Sequence, residues 1–244
     1  TQSNCGGIIM ADIYLDNNAT TMVDPEALEA MLPYYTEQYG NPSSMHSFGN
    51  QVGFALKKAR QQIQALLGAE HDSEIIFTSC GSESDSTAIL SAIKAQPDRN
   101  EIITTVVEHP AVLSLCEHLE KEGYKVHYLK VDMKGRLDLD EYKKLLSERV
   151  AVVSVMWANN ETGNLFPVLE MAELANEAGV MFHSDAVQVI GKIPLDLKTS
   201  KIDMLSISGH KLHAPKGIGV LYLRRGVRFR PLLQIGRASC REGE

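Results

Sequence analysis

Between Glu74 and Ser208, short apolar runs alternate with longer amphipathic ones, and this alternation restricts the fold more than any other feature of the chain. "EIIFT" is followed by "STAILSAIKA", "EIITTVV" by "PAVLSLCEHLEKEG", "YKVHYLKV" by "LDEYKKLLSE" and "VAVVSVMWA" by "PVLEMAELANEAG"; "VMFHSDAV" and "DMLSIS" come last. The short runs are rich in Val and Ile and are strand-like, whereas the segments between them repeat apolar residues at helical spacing. The alternation predicts a mostly parallel α/β sheet with helices on both faces, its strands apolar throughout because neither face meets water. Gly123 and Gly179 stand where helices call for a left-handed cap. Upstream, Val52, Leu56, Ala59, Ile63 and Leu66 recur at steps of four and three, which predicts a docked amphipathic helix over Gln51–Leu67.

The 244 residues, 44% hydrophobic and 23% charged, suffice for one large domain with a sizeable core. A net charge of −7 argues against nucleic acid or an anionic membrane as partner, since both call for a basic face, and favours a small polar ligand or a protein. No stretch reads as a membrane span, and "TQSNCGGIIM" lacks the cationic and apolar regions of a signal peptide, so a cytoplasmic protein is expected. Cys5, Cys80, Cys116 and Cys240 show neither CxxC spacing nor a short framework, so neither a zinc site nor a disulfide is expected and no metal ligand is assigned.

In parallel sheets, ligands bind beyond the carboxyl ends of the strands, so the polar residues just after each apolar run are the candidates. They are "SCGSES", "EHP", "NNETG", Asp185 and "GHK". Each has a plain structural reading: Ser82 and Asp85 as a shortened capping box, His109 as a loop histidine, "NNETG" as a turn and Lys211 as a solvated lysine. Asp185 resists such a reading, because an unpaired carboxylate inside an apolar strand is costly. Pyridoxal phosphate would give all five a common purpose. A helix start at Gly81 and Ser82 would offer free N–H groups to the phosphate, with Ser208 and His210 as further donors. Asp185 would pair with the pyridine nitrogen, His109 would lie against the ring, Asn160 and Gln188 would bond its phenolic oxygen, and Lys211 would supply the amine for a Schiff base. Neither GxxxxGK[ST] nor a complete GxGxxG is present, which excludes a P-loop or dinucleotide fingerprint.

Read in order, "YLDNNATT" (Tyr14–Thr21), "GNPSSMH" (Gly40–His46), "EHPAV", "NNETG", "DAVQ" and "SGHK" resemble the cysteine desulfurases of the NifS and IscS type, fold-type I pyridoxal-phosphate enzymes related to the class V aminotransferases. "FTSCGSES", "VMWANNETG" and "HAPKGIGVLYLRRG" are similar to the nitrogenase-associated branch. The likeness runs from Met10 to about Leu233. It implies the pyridoxal-phosphate-binding large domain over 10–233, including the first segment of a smaller domain whose remainder is missing. By the same resemblance Lys211 and His109 are catalytic. The cofactor-binding set is Gly81, Ser82, His109, Asn160, Asp185, Gln188, Ser208, Gly209, His210 and Lys211, with Ser82 replacing the usual threonine and keeping its hydroxyl.

The implied activity is removal of sulfur from L-cysteine to give L-alanine and an enzyme persulfide. Its partners would be an iron–sulfur scaffold or another acceptor, in a homodimer serving nitrogen fixation and metal-cluster assembly. The persulfide cysteine and the substrate-binding arginine of the family lie beyond the lysine in the small domain. None of the four cysteines matches that motif, so this chain alone is expected to be inactive and, with apolar surface left uncovered, poorly soluble. Residues 1–9 and the "QIGRASCREGE" of 234–244 are expected to be non-native. The alternatives are another class V aminotransferase-like lyase or a non-catalytic cofactor-binding fragment.

Overall fold

Each apolar run singled out above forms a strand, and each amphipathic run between them forms a helix. The structure, a computed structural model, describes residues 13–232; the expectations for 1–9 and 234–244, and Cys5 and Cys240, lie outside the described residues. In chain order the elements are α1 (Pro25–Met31), α2 (Pro33–Thr36), α3 (Ser47–Leu67), β1 (Ile75–Thr78), α4 (Gly81–Ala95), β2 (Glu101–Thr105), α5 (Pro110–Lys121), β3 (Lys125–Leu129), α6 (Leu139–Leu145), β4 (Val150–Ser154), α7 (Val168–Glu177), β5 (Met181–Asp185), β6 (Met204–Ser208) and β7 (Gly219–Leu223). Gly123 and Gly179 take the expected positive φ, 97° and 65°.

The seven strands form one sheet in the order β1-β7-β6-β5-β4-β2-β3. Only β7 runs against its neighbours, pairing antiparallel with both β1 and β6. The other six therefore point the same way and end on one side. From β2 the chain goes outward to β3 and then returns to the opposite side of β2 as β4. This reversal opens a crevice beyond the ends of β2 and β4, where open α/β sheets hold their ligands.

Side chains alternate across the sheet. Ile102, Val152, Met204 and Leu221 pack under α4 and α5 with Ile89, Ile93 and Leu119, whereas Ile103, Val153, Leu205 and Tyr222 pack in a second cluster with Tyr142 of α6 and Met171 of α7. Burying each such side chain stabilises the fold by about 1.5–3 kcal/mol before entropy is counted.

Two expectations need correction. The strands are not apolar throughout: their carboxyl halves carry Thr104, Ser154, His183, Asp185, Ser206 and Ser208, all buried. Counted by twos from Ile102, Val152, Met181 and Met204, these residues share the face covered by α4. The helix read as docked, α3, begins earlier, at Ser47, with the His46 side chain accepting from the Gly49 N–H at 3.2 Å, and ends at Gly68 in a left-handed cap. Its buried residues are Gly49, against the 41–44 loop, and Leu67 at the carboxyl end; between them Phe54 stays 74% exposed, and Leu66 is 43% exposed. The helix packs on the turn Asp72–Glu74 and on β1, and neither reaches back to cover its first turns.

Candidate active site

At the carboxyl edge of the sheet lies a cavity of about 480 Å³, within the range of small-molecule sites. All five sequence segments reach it. Gly81 and Ser82 come from the start of α4, His109 from the start of α5, Asn160 from the loop after β4, Asp185 and Gln188 from the end of β5 and beyond, Ser208 from the end of β6, and His210 and Lys211 from the turn after it. Gly209 opens that turn but does not line the cavity; a Cβ there would meet Ile218 Cγ2 at 2.5 Å, so its absence of side chain serves packing.

The α4 N-terminus differs from the shortened capping box. Its N-cap is Cys80, whose side chain makes no capping bond, and Ser82 sits inside the first turn. Glu83 instead accepts from the Ser79 N–H at 2.6 Å. The first N–H groups of the helix thus face the cavity without a side-chain cap, the condition under which a helix start binds an anion. A Cβ on Gly81 would stand 3.1 Å from Val187 Cγ2 and 3.4 Å from the Ser208 Cβ, so a larger residue would crowd the approach. Behind this turn, a Cβ on Gly219 would fall 2.6 Å from the Cys80 carbonyl carbon, so only glycine lets β7 pass there.

Asp185 is 6% exposed, and its carboxylate accepts from the Val187 N–H at 2.9 Å. Burial raises its pKa, against the downward pull of that bond and of His109 and Lys211. His109 is the N-cap of α5: its Nδ1 accepts from the Ala111 N–H at 3.2 Å, which leaves Nε2 to carry the proton. Glu108 beside it is 4% exposed and takes bonds from the Met156 N–H and the Thr105 hydroxyl, clamping the end of β2 to the chain beyond β4. Burial pushes the Glu108 carboxyl up to about 8.

Lys211 is half-buried. Burial and the charge of Lys192 lower its pKa, and Asp185 and Asp16 oppose the shift. Its Nζ donates to the carbonyls of Asn18 and Ala19, in a loop that the sequence reading quoted without assigning any residue a role. Gln188 Nε2 donates to the Asn18 carbonyl at 3.0 Å, Asn18 Nδ2 to the Asn160 carbonyl at 3.3 Å, and Thr20 Oγ1 lies 3.1 Å from His210 Nδ1. The Asn160 amide is engaged by Glu161 at 2.7 Å. Cys80 also lines the cavity, whereas Cys116 is buried in the core, its thiol pushed up to about 12.

This donor set fits pyridoxal phosphate: an uncapped helix start for a phosphate, a buried carboxylate with a single backbone donor for a pyridinium, and an amine for a carbonyl carbon. Such a sheet and such strand-end groups place the chain among the pyridoxal-phosphate enzymes of fold type I. Within that class it belongs to the class V aminotransferase family, whose pattern matches residues 13–241. Among curated proteins, the chain is 75% identical over 227 residues to the cysteine desulfurase NifS of Azotobacter vinelandii, covering 93% of this chain and 56% of that protein. It is 64% identical over 228 residues to a cysteine desulfurase of Gluconacetobacter diazotrophicus, covering 93% and 57%. The chain therefore spans little more than half the length of the curated relatives it matches. Among solved structures, a NifS-like protein superposes with a TM-score of 0.88 at 42% identity, covering 92% of this chain and 62% of the other. SspA in complex with cysteine gives 0.86 at 36%, covering 90% and 64%. No helix among the described residues is long and apolar enough to cross a membrane.

Proposed function

We propose that the chain is the cofactor-binding part of a cysteine desulfurase of the nitrogenase-associated type, which removes sulfur from L-cysteine and leaves L-alanine. The observation that carries the reading is the convergence of Lys211, Asp185 and the α4 N-terminus on one cavity, in a chain whose relatives bear that name. When bound, pyridoxal phosphate supplies an electron sink that acidifies the α-carbon of an amino acid.

The chain's residues would do the rest. The N–H groups of Gly81 and Ser82, with Ser208 and His210, hold the phosphate. Asp185 keeps a proton on the pyridine nitrogen. His109 would lie against the ring and present Nε2, while Asn160 and Gln188 would bond the phenolic oxygen once Asn160 turns from Glu161 and Gln188 from the Asn18 carbonyl. Lys211 Nζ anchors the cofactor, and its lowered pKa suits it to take the α-proton as a free base. The sulfur would pass to a cysteine outside the described residues: Cys116 is sealed in the core, and Cys80, although it lines the cavity, does not match the family's persulfide motif. From there it would go to an iron–sulfur scaffold or another acceptor, in a cytoplasmic homodimer.

The test is to load the full-length protein with pyridoxal phosphate, supply L-cysteine under reducing conditions and measure products. Alanine and sulfide in equal amounts are expected. A keto acid with pyridoxamine phosphate would instead mark an aminotransferase.

A further inference from the structure

Beneath Asp185, on the same face of the sheet, lies a buried polar row. Ser154 of β4 is paired with His183 of β5, and Ser206 of β6 with Asp185. The Ser154 hydroxyl is 2.9 Å from His183 Nδ1, and the Ser206 hydroxyl is 2.8 Å from His183 Nε2. Asp85 closes the row from α4, 1% exposed, with the Ser206 hydroxyl beside its carboxyl group. Its Oδ1 has no hydrogen-bond partner and stands 3.7 Å from His183 Nε2.

The charges bearing most on Asp85 are all negative or neutral. They are Asp185 at the end of β5, Glu108 beyond β2 and Cys80 at the N-cap of its own helix. His183 is completely buried, and its imidazole is pushed down to about 3, so it offers no countercharge. Three buried carboxyls therefore share one region, and of these Asp185 is the one facing His109 and Lys211. Like charges at such closeness in a low dielectric do not all ionise.

We infer that Asp85 is a neutral carboxylic acid, which through Ser206 sets the tautomer of His183 and confines the buried negative charge to Asp185. The hydrogen-bond directions follow. A protonated Asp85 donates to Ser206 Oγ, Ser206 donates to His183 Nε2, and His183 donates from Nδ1 to Ser154. An ionised Asp85 reverses every bond: Ser206 donates to the carboxylate, His183 carries its proton on Nε2, and Ser154 donates to Nδ1. Asp85, at the edge of the cavity, is thus a positioning residue, acting on the charge that faces the cofactor. The inference rests on the reading of Asp185 as the partner of the pyridine nitrogen.

The test uses the full-length protein, its Asp85→Asn and Asp185→Asn variants, nitrogen-15 spectra of His183 near pH 7, and the affinity of the apoprotein for pyridoxal phosphate. An asparagine amide donates to Ser206 as a protonated aspartate does. Expected, then, is the Nδ1–H tautomer in both wild type and Asp85→Asn, with affinity in the variant within about threefold of wild type. An Nε2–H tautomer in the wild type that converts in Asp85→Asn, or a fall in affinity of about tenfold or more in that variant, overturns the inference. Failure of the site reading shows separately: Asp185→Asn would then leave cofactor affinity unchanged, while the His183 tautomer still reports the proton on Asp85.

Discussion

Lys211 Nζ donates to the Ala19 carbonyl over 2.9 Å, so the amine assigned to the cofactor is held by a loop nearly two hundred residues earlier in the chain. Loading must exchange those carbonyls for the cofactor, and the lowered pKa of Lys211 makes the amine easier to deprotonate for that exchange. Borohydride reduction of the loaded protein followed by peptide mapping should place the phosphopyridoxyl label on Lys211. Label on Lys192 or Lys216 would refute the assignment.

Asp185 should matter differently from Lys211. Replacing it with alanine removes a buried carboxylate facing both His109 and Lys211, so some cofactor should still bind while most turnover disappears. Unchanged alanine production from cysteine in the full-length variant would remove Asp185 from the mechanism.

The parallel sheet, its helices and the five strand-end segments were legible in the sequence because their signals are local: apolar periodicity, glycine caps and polar residues after apolar runs. The polar row under α4 was missed because "VVS", "HSD" and "SIS" were read as parts of apolar strands. Taken at a period of two, Ser154, His183, Asp185, Ser206 and Ser208 already mark one polar face. The roles of Asn18 and Ala19 were not legible, because they depend on backbone carbonyls, which any residue supplies, and on contacts across the whole chain. The partial docking of α3 was also hidden, since periodicity shows that a face is apolar and not what covers it.

Two buried groups should bend the pH dependence of stability in opposite directions. Glu108 holds its proton up to about 8 in the folded state against a reference of 4.5. The unfolded chain therefore binds fewer protons between these values, and stability falls as pH rises from about 4.5 to about 8. His183 titrates at about 3 when folded against 6.5, so its contribution is full above 6.5 and is lost as pH falls toward 3. The two oppose each other between 4.5 and 6.5. Denaturant melts of Glu108→Gln should show a flatter decline from pH 7 to 8, by up to about 1.4 kcal/mol per pH unit. An unaltered slope would mean that Glu108 is ionised in the fold.

Gly219 should tolerate no side chain. A Cβ there would lie 2.7 Å from both the Cys80 carbonyl oxygen and Thr78 Oγ1, and backbone on that side cannot yield without moving the start of α4. Gly219→Ala is expected to cost about 1–3 kcal/mol of stability and to weaken pyridoxal phosphate binding through the displaced N–H groups. Wild-type values in both a denaturant melt and a cofactor titration would show that the turn can shift freely.

Thr21 is the fastening of the loop that roofs the site. It is 7% exposed, its N–H and its hydroxyl both donate to the His210 carbonyl at 2.9 Å, and the hydroxyl accepts from the His213 N–H at 2.8 Å. His213 sits at φ 58°, a left-handed conformation that a non-glycine residue keeps only when its surroundings hold it there. Thr21→Val keeps the shape and removes the hydroxyl, and with it the bonds to the His210 carbonyl and the His213 N–H, each worth about 0.5–1.5 kcal/mol. Because the fastening is local, the loss should appear as local opening rather than as a lower global melt. Amide exchange at Thr21 and Asp24, whose N–H groups bond His210 and His213, should accelerate by about tenfold or more, while amides in β4 and β5 keep their protection. Unchanged exchange at those two positions would show that the Thr21 hydroxyl does not fasten the loop.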